Sequence, residues 1–182
     1  RVDTASKMSP VERQLMAQRN AREVVEAGIT TVRNLGGSGI NGDAMLRDLI
    51  NGWSAIGPRI VAATRKLTPP GGQGGSVPQE VIDREYLIVD GPDRGRQAVR
   101  EAIKSGADII KVVIDAGPRQ INLSEMQAVV DEAHQRNLKV AAHATSEEGI
   151  RTAVEAGVDS VEHGNEANSE VLAVMRQKSI YL

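Results

Sequence analysis

The sequence contains no cysteine and very few aromatic residues. Among its 182 residues there are no phenylalanines, one tryptophan and two tyrosines. Without cysteine, disulfides, thiolate nucleophiles and cysteine-ligated metal sites are excluded, so a metal site would need His, Asp, Glu or a modified Lys. The core must consist mainly of Val, Ile, Leu, Ala and Met, which suits strands that are covered by helices.

The chain also lacks an excess of charge and a long apolar run. Its formal net charge is -2 and its hydrophobic content is 40%. Because no basic surface would neutralise phosphates, we expect neither nucleic acid nor an anionic membrane as a partner. No segment approaches the roughly 18 apolar residues of a membrane span, and no targeting segment is visible at the N-terminus. We expect a soluble globular domain of unknown compartment.

A sequence pattern that predicts a helix end, a glycine and then a strand occurs three times. Gly28, Gly106 and Gly157 each follow a helical pattern and precede a β-branched run. Glycine at these positions can adopt the left-handed conformation that ends many helices. Repetition of this pattern predicts alternating strands and helices.

This alternation predicts right-handed βαβ units and a parallel sheet. No dinucleotide-binding or P-loop motif supports a doubly wound sheet, so we favour a (β/α)8 barrel, of which this chain covers about six strands. Capping-box patterns that begin at Ser9, Ser124 and Thr145 mark three helix starts. The expected helices lie near residues 10–27, 43–54, 92–105, 124–136, 146–156 and 168–177, and the expected strands near 29–34, 59–64, 108–114, 139–144 and 158–163, with another beginning at Ile180.

Residues 68–90 interrupt this alternation with a segment rich in proline and glycine. A long irregular segment after the carboxyl end of a strand usually lies over the active site of an α/β protein. We therefore interpret residues 1–182 as a single partial barrel domain, with 68–90 as an irregular active-site loop.

Three side chains stand out as candidate metal ligands. Lys111 interrupts an otherwise apolar strand, while His143 and His163 each end a strand. In a barrel, the ends of consecutive strands face a common centre. The third histidine, His134, lies near a helix C-terminus and is expected to be structural or exposed.

These residue types suit a divalent cation. Neutral imidazole binds ions such as Zn²⁺, Co²⁺, Mn²⁺ and Ni²⁺. A charged lysine cannot bind a metal, so Lys111 could contribute only as a buried neutral amine or as a carbamate formed with CO₂.

The segments GITTVRNLGG, GPRIVAAT, GADIIKVV, KVAAHAT and AGVDSVEHGN resemble the amidohydrolase superfamily, in particular its imidazolonepropionase-like and prolidase-like branch. The resemblance covers nearly the whole chain. It implies that Lys111 is a carboxylated lysine and that His143 and His163 bind the same divalent metal, with zinc the expected ion. It further implies cleavage of C–N amide bonds in dipeptides, N-acyl amino acids or related cyclic amides by metal-activated water.

The resemblance also implies parts that these 182 residues lack, namely an H-x-H pair and a catalytic aspartate. No catalytic residue is therefore assigned within the chain. We expect half of a metal centre, in a fragment or in a chain that a homo-oligomer or a complementing segment completes. Gln73, where similar sequences often have His, and Asp115, just after the lysine strand, are the candidate contacts for a small-molecule amide substrate.

Two alternatives remain open. In a Schiff-base aldolase barrel, Lys111 would be the nucleophile, activated by a lowered pKa, but this would leave both strand-end histidines unexplained. In a non-catalytic barrel module, the chain would bind no metal, and replacement of Lys111 would leave its stability unchanged or improved because an unpaired buried lysine is costly.

Overall fold

The computed structural model describes residues 8–73 and 77–182. Within these residues, seven helices and seven strands follow one another along the chain. The helices are α1 (Pro10–Glu26), α2 (Gly42–Asn51), α3 (Gln79–Glu85), α4 (Pro92–Lys104), α5 (Leu123–His134), α6 (Glu147–Ala156) and α7 (Ser169–Lys178). The strands are β1 (Thr31–Asn34), β2 (Arg59–Ala62), β3 (Lys66–Thr68), β4 (Tyr86–Ile88), β5 (Ile109–Val113), β6 (Lys139–Ala144) and β7 (Ser160–His163).

All pairs of neighbouring strands are parallel, as predicted. β1 pairs with β2, and a second sheet has the order β4-β3-β5-β6-β7. Asp108 joins the two sheets, because its backbone N–H donates to the Ala62 carbonyl at 2.7 Å and its carboxylate accepts from the Ala62 N–H at 3.0 Å. Beyond β7, Tyr181 forms a parallel bridge with Ser160. The strands therefore form a continuous arc.

The two faces of this arc are packed differently. Alternate residues of each strand point to opposite faces. On one face, residues such as Ile110 and Val112 pack against buried side chains of α4, α5, α6 and α7. On the other face, a smaller cluster consists of Ala63, Ile109 and Ala141. Helices thus cover the outer face, and the inner face holds the remaining side chains of the strands.

The predicted glycine positions are confirmed, whereas two of the predicted helix caps are wrong. Gly28, Gly106 and Gly157 have φ values of 89°, 95° and 84°, and Ser9 forms a capping box with Glu12. The cap of α5 is Asn122 rather than Ser124, because the Asn122 side chain accepts from the Glu125 N–H. The cap of α6 is Ser146 rather than Thr145, since its hydroxyl accepts from the Gly149 N–H. Helix α5 therefore begins one residue earlier, and α6 one residue later, than the sequence pattern indicated.

The segment 68–90 differs from the irregular loop expected there. It contains the end of β3 together with α3 and β4. Burial and strand pairing stabilise this segment. Val81 and Leu87 lie in the interior, and β3 pairs with both β4 and β5. Residues 74–76, in the glycine-rich part of the predicted loop, lie outside the described residues.

An ion-pair network connects α4 to α5. The Arg100 guanidinium donates two hydrogen bonds to the Glu132 carboxylate, both at 2.9 Å, and Arg136 donates to the same carboxylate. Glu132 is buried although both arginines are half-exposed. The hydrogen bonds from Arg100, and then those from Arg136, lower the pKa of Glu132 from 4.5 to about 2.

The stabilisation that Glu132 provides should depend on pH. Because its pKa is lower in the folded chain, the full contribution is present above about pH 4.5 and is lost as the pH falls towards about 2. We expect Glu132→Gln to lower the free energy of unfolding more at neutral pH than at acidic pH, as measured by urea denaturation across this range. The exposed Glu155→Gln serves as the control. Equal losses for Glu132→Gln at both ends of the range would contradict the assignment.

Candidate functional site

The inner face of the arc carries a row of polar side chains near the carboxyl ends of its strands. In the sheet register, Lys111 lies beside Ala141, Val113 beside His143, and His143 beside Glu162. Because side chains on one face of a strand alternate, Lys111 lies on the same face as His143, one pair of residues deeper. Two of the three predicted ligands thus share the inner face by register alone.

Lys111 is buried in the middle of β5 and is only 5% exposed. Among the described residues, no side chain or backbone group forms a hydrogen bond or ion pair with its Nζ. Burial lowers the pKa of Lys111 from 10.5 to about 8, the nearby cations Arg33 and Lys66 act in the same direction, and Glu162 opposes them. The surroundings of Lys111 therefore shift its equilibrium towards the neutral amine.

The His163 ring lies beside that of His143 because of an unusual backbone conformation. Simple alternation along β7 would direct its side chain to the helix-covered face, since Glu162 points inward. However, its φ is 79°, a left-handed value that is uncommon for a residue other than glycine. Its ring lies 4.5 Å from that of His143, centroid to centroid, at an interplanar angle of 69°. Such backbone conformations cluster at functional sites.

The surroundings of the His143 imidazole disfavour its charged form. Burial lowers its pKa most, the neighbouring His163 and Lys111 lower it further, and Asp115 acts in the opposite direction. A neutral imidazole has one nitrogen with a free lone pair, which is the form that binds metals. The direction of the pKa shift of His143 therefore favours the form of the imidazole that a ligand requires.

The donor set fits a divalent cation only if the lysine takes part. Within residues 8–73 and 77–182, no group of three His, Asp or Glu side chains could hold a metal ion. The two imidazoles are adjacent, and a third protein donor on the inner face would have to come from Lys111. Its burial without a partner and its lowered pKa are the properties that a metal-binding or carboxylated lysine needs.

Asp115, predicted to contact substrate, is placed beneath the site. Its carboxylate oxygen Oδ2 accepts hydrogen bonds from the N–H groups of Thr145 and Ser146 and from the Ser146 hydroxyl, each at 2.7 Å. Although burial acts to raise it, these hydrogen bonds hold the pKa of Asp115 below its usual value. Its side chain is 1% exposed, and a contact with substrate stays a prediction.

Gln73, the other predicted substrate contact, lies at the rim. Its Oε1 accepts a hydrogen bond from Lys66 Nζ at 3.0 Å and lies 3.4 Å from the Tyr86 hydroxyl. The Lys66 ammonium also lies over the Tyr86 ring, 4.6 Å from its centroid. The third histidine, His134, is exposed and pairs with Asp159 away from the inner face.

Sequence reasoning missed three charged residues of the inner face. Arg33 forms an ion pair with Glu162 at 3.2 Å, and both influence the pKa of Lys111. Lys66 lies next to Lys111 in the register, because Leu67 pairs with Val112. The alternation of side chains along the strands could have predicted that Glu162 faces inward. The inward positions of Arg33 and Lys66 could not be predicted without knowing how the strands are arranged in the sheet.

Comparisons by sequence and by structure identify relatives from the same family. The sequence matches the profile of the amidohydrolase family over residues 4–182. It is 29% identical to ochratoxinase from Aspergillus niger over 188 residues, which covers 89% of this chain and 38% of that protein.

Solved structures agree with this match. A Xaa-Pro dipeptidase with methionine bound in its active site superposes with a TM-score of 0.82 at 33% identity, covering 93% of this chain and 45% of that one. The A. niger ochratoxinase structure superposes with a TM-score of 0.89 at 27% identity, covering 100% of this chain and 47% of that one. The chain thus spans less than half the length of these relatives. The predicted architecture, part of a parallel α/β barrel, is confirmed.

Burial of Lys111 should destabilise the metal-free chain. Because its folded pKa of about 8 lies below 10.5, the unfolded state binds the proton more tightly, and stability should rise as the pH increases between these values. At neutral pH we expect Lys111→Met to raise the free energy of unfolding by about 2–4 kcal/mol. This gain in stability should shrink as the pH approaches 10.5, the pKa of an unperturbed lysine.

Urea denaturation of the metal-free chain at several pH values measures this effect. Lys104→Met, which removes an exposed lysine from the end of α4, is the matched control and should change stability by less than about 0.5 kcal/mol. A loss of stability in Lys111→Met that exceeds the loss in the control would show that the buried ammonium has a favourable partner.

Proposed function

The chain belongs to the amidohydrolase family, and on that premise we propose that it provides half of the active site of a metal-dependent hydrolase that cleaves C–N amide bonds. Lys111, His143 and His163 would hold a divalent cation, with zinc the expected ion. The observation that supports this most is the burial of Lys111 without a hydrogen bond or salt bridge among the described residues, on the same face as two imidazoles that touch each other. A purely structural lysine would be expected to have a partner.

The bound cation would polarise the scissile carbonyl and lower the pKa of a water molecule. The protein's part is to present donors in the correct state. Reaction of the neutral Lys111 amine with CO₂ forms an N–C bond and releases a proton, which leaves an anionic carbamate with two donor oxygens. A pKa of about 8 leaves enough neutral amine for this reaction at physiological pH.

Two of the three charges that act on Lys111 from the inner face would attract that anion. Arg33 and Lys66 are cations whose effect on Lys111 is to disfavour its ammonium form. The same two charges would favour a negatively charged carbamate at this position. Glu162 has the opposite effect, but its own ion pair with Arg33 at 3.2 Å offsets part of its charge.

For the substrate, we propose a dipeptide, an N-acyl amino acid or a related cyclic amide. The names of the relatives, a Xaa-Pro dipeptidase and an ochratoxinase, support this class. Gln73 is our candidate contact at the rim, and Lys66 next to it places a cation where the substrate could present a carboxylate. Asp115 is too deeply buried to take this part without a rearrangement of the β6–α6 turn.

A Schiff-base aldolase remains the second candidate, because a lysine with a pKa of about 8 is also a competent nucleophile. It leaves the contact between the two histidine rings without a role. Borohydride trapping of a carbonyl compound on Lys111 would favour this alternative over the hydrolase.

The metal proposal can be tested on the chain as it stands. We expect it to bind Zn²⁺ or Co²⁺, and we expect Lys111→Ala, His143→Ala and His163→Ala each to weaken binding by at least about tenfold, because each removes a donor. Isothermal titration with the metal alone and elemental analysis after dialysis measure this. Intact mass under native conditions would detect one CO₂ on Lys111.

His134→Ala is the matched control, since this exposed histidine pairs with Asp159 at the opposite ends of the strands. It should retain the affinity of the parent chain. If all four variants bound metal equally well, or if the parent bound none, the proposed centre would be wrong.

A further inference from the structure

The carboxylate of Asp115 uses its two oxygens very differently. Oδ2 accepts three hydrogen bonds from the turn between β6 and α6, from Thr145 and Ser146. Oδ1 is buried, and no group among the described residues donates a hydrogen bond to it. A buried carboxylate oxygen without a donor is costly, so its surroundings indicate what it is placed to do.

The polar group that Oδ1 faces is the ring of His143. The distance from Oδ1 to His143 Nε2 is 3.7 Å, longer than a hydrogen bond. A hydrogen bond between them therefore requires the imidazole to lie closer to Asp115 than it does here. Because Nε2 is the ring nitrogen on this side, Nδ1 is the nitrogen left for the site.

The turn is shaped around the carboxylate. Gly149 lies against Asp115, and a Cβ atom added to Gly149 would overlap the Asp115 carboxylate. The Ser146 hydroxyl caps α6 by accepting from the Gly149 N–H and donates to the same Asp115 oxygen. Contacts with Thr145, Ser146 and Gly149 therefore fix the position of the Asp115 carboxylate next to the His143 ring.

We propose that Asp115 is a positioning residue that fixes the orientation and the tautomer of His143. Its Oδ2 holds the β6–α6 turn, and its Oδ1 accepts the Nε2–H of His143, so that the lone pair of Nδ1 faces the inner side of the arc. Carboxylates behind metal-binding histidines commonly have this effect on the ring. Only the consequence for metal binding rests on the proposed function.

An Asp115→Asn variant distinguishes this role from a structural one. The three donors of the turn require an oxygen, so the asparagine must place its amide oxygen there and its NH₂ group towards His143. The substitution thus keeps the shape and the turn contacts but replaces an acceptor with a donor. A donor facing Nε2 requires the lone pair to be on Nε2 and moves the proton to Nδ1.

The experiment records long-range ¹H–¹⁵N correlation spectra of the imidazoles in the metal-free 182-residue chain, at a pH where His143 is neutral. With three histidines, the signals are assigned by substituting them singly. We expect the parent to show a protonated Nε2 in His143, and Asp115→Asn to exchange the shifts of Nε2 and Nδ1. Zn²⁺ affinity should fall by about 10–100-fold in the same variant.

The control is Ser146→Ala, which removes one donor from Oδ2 and leaves Oδ1 unchanged. It should lower the unfolding midpoint but retain the parent tautomer of His143. If His143 has the same tautomer in the parent and in Asp115→Asn, the positioning role is overturned. Since the tautomer is measured without metal, a parent that shows the predicted tautomer yet binds no Zn²⁺ would contradict the proposed function and uphold the role of Asp115.

Discussion

The burial of one ammonium group in the middle of a parallel strand is the constraint on which the inner face depends. Lys111 replaces an apolar residue in a strand whose other members are all buried. Its neighbours do not compensate with a hydrogen bond or an ion pair to Nζ among the described residues. Burial disfavours the charged form of this amine, so β5 loses stability by carrying a lysine at this position.

The outer face explains how the fold tolerates this cost. Ile110 and Val112, the neighbours of Lys111 on either side, point away from it into the large cluster formed with the helices. β5 also pairs with β6 along its whole length and with β3 at Val112. The strand is therefore held by its apolar side and by its two partners, and its inner side is free to carry the residue that destabilises it.

Local patterns in the sequence were sufficient for much of the fold and for part of the site. The glycines at helix ends, the parallel alternation and the isolated Lys111 were predictable because each depends on a few consecutive residues. Three features were not. The regular structure of residues 68–90 depends on pairing with distant strands. The inward position of His163 depends on a left-handed φ, and the proximity of Arg33 to Lys111 depends on the curvature of the arc.

Whether the charges around Lys111 stabilise or destabilise its side chain depends on the chemical state of the lysine. Towards an ammonium, Arg33 and Lys66 are repulsive, and their effect adds to the cost of burial. Towards an anion at the same position, both interactions become attractive, and only the contribution of Glu162 becomes unfavourable. Glu162 is already paired with Arg33 and accepts a hydrogen bond from Ser160 at 2.7 Å, which limits its repulsion. The charges of the inner face thus act on Lys111 in opposite directions, with Glu162 the largest single charge contribution, and each of them reverses its sign if the lysine becomes an anion.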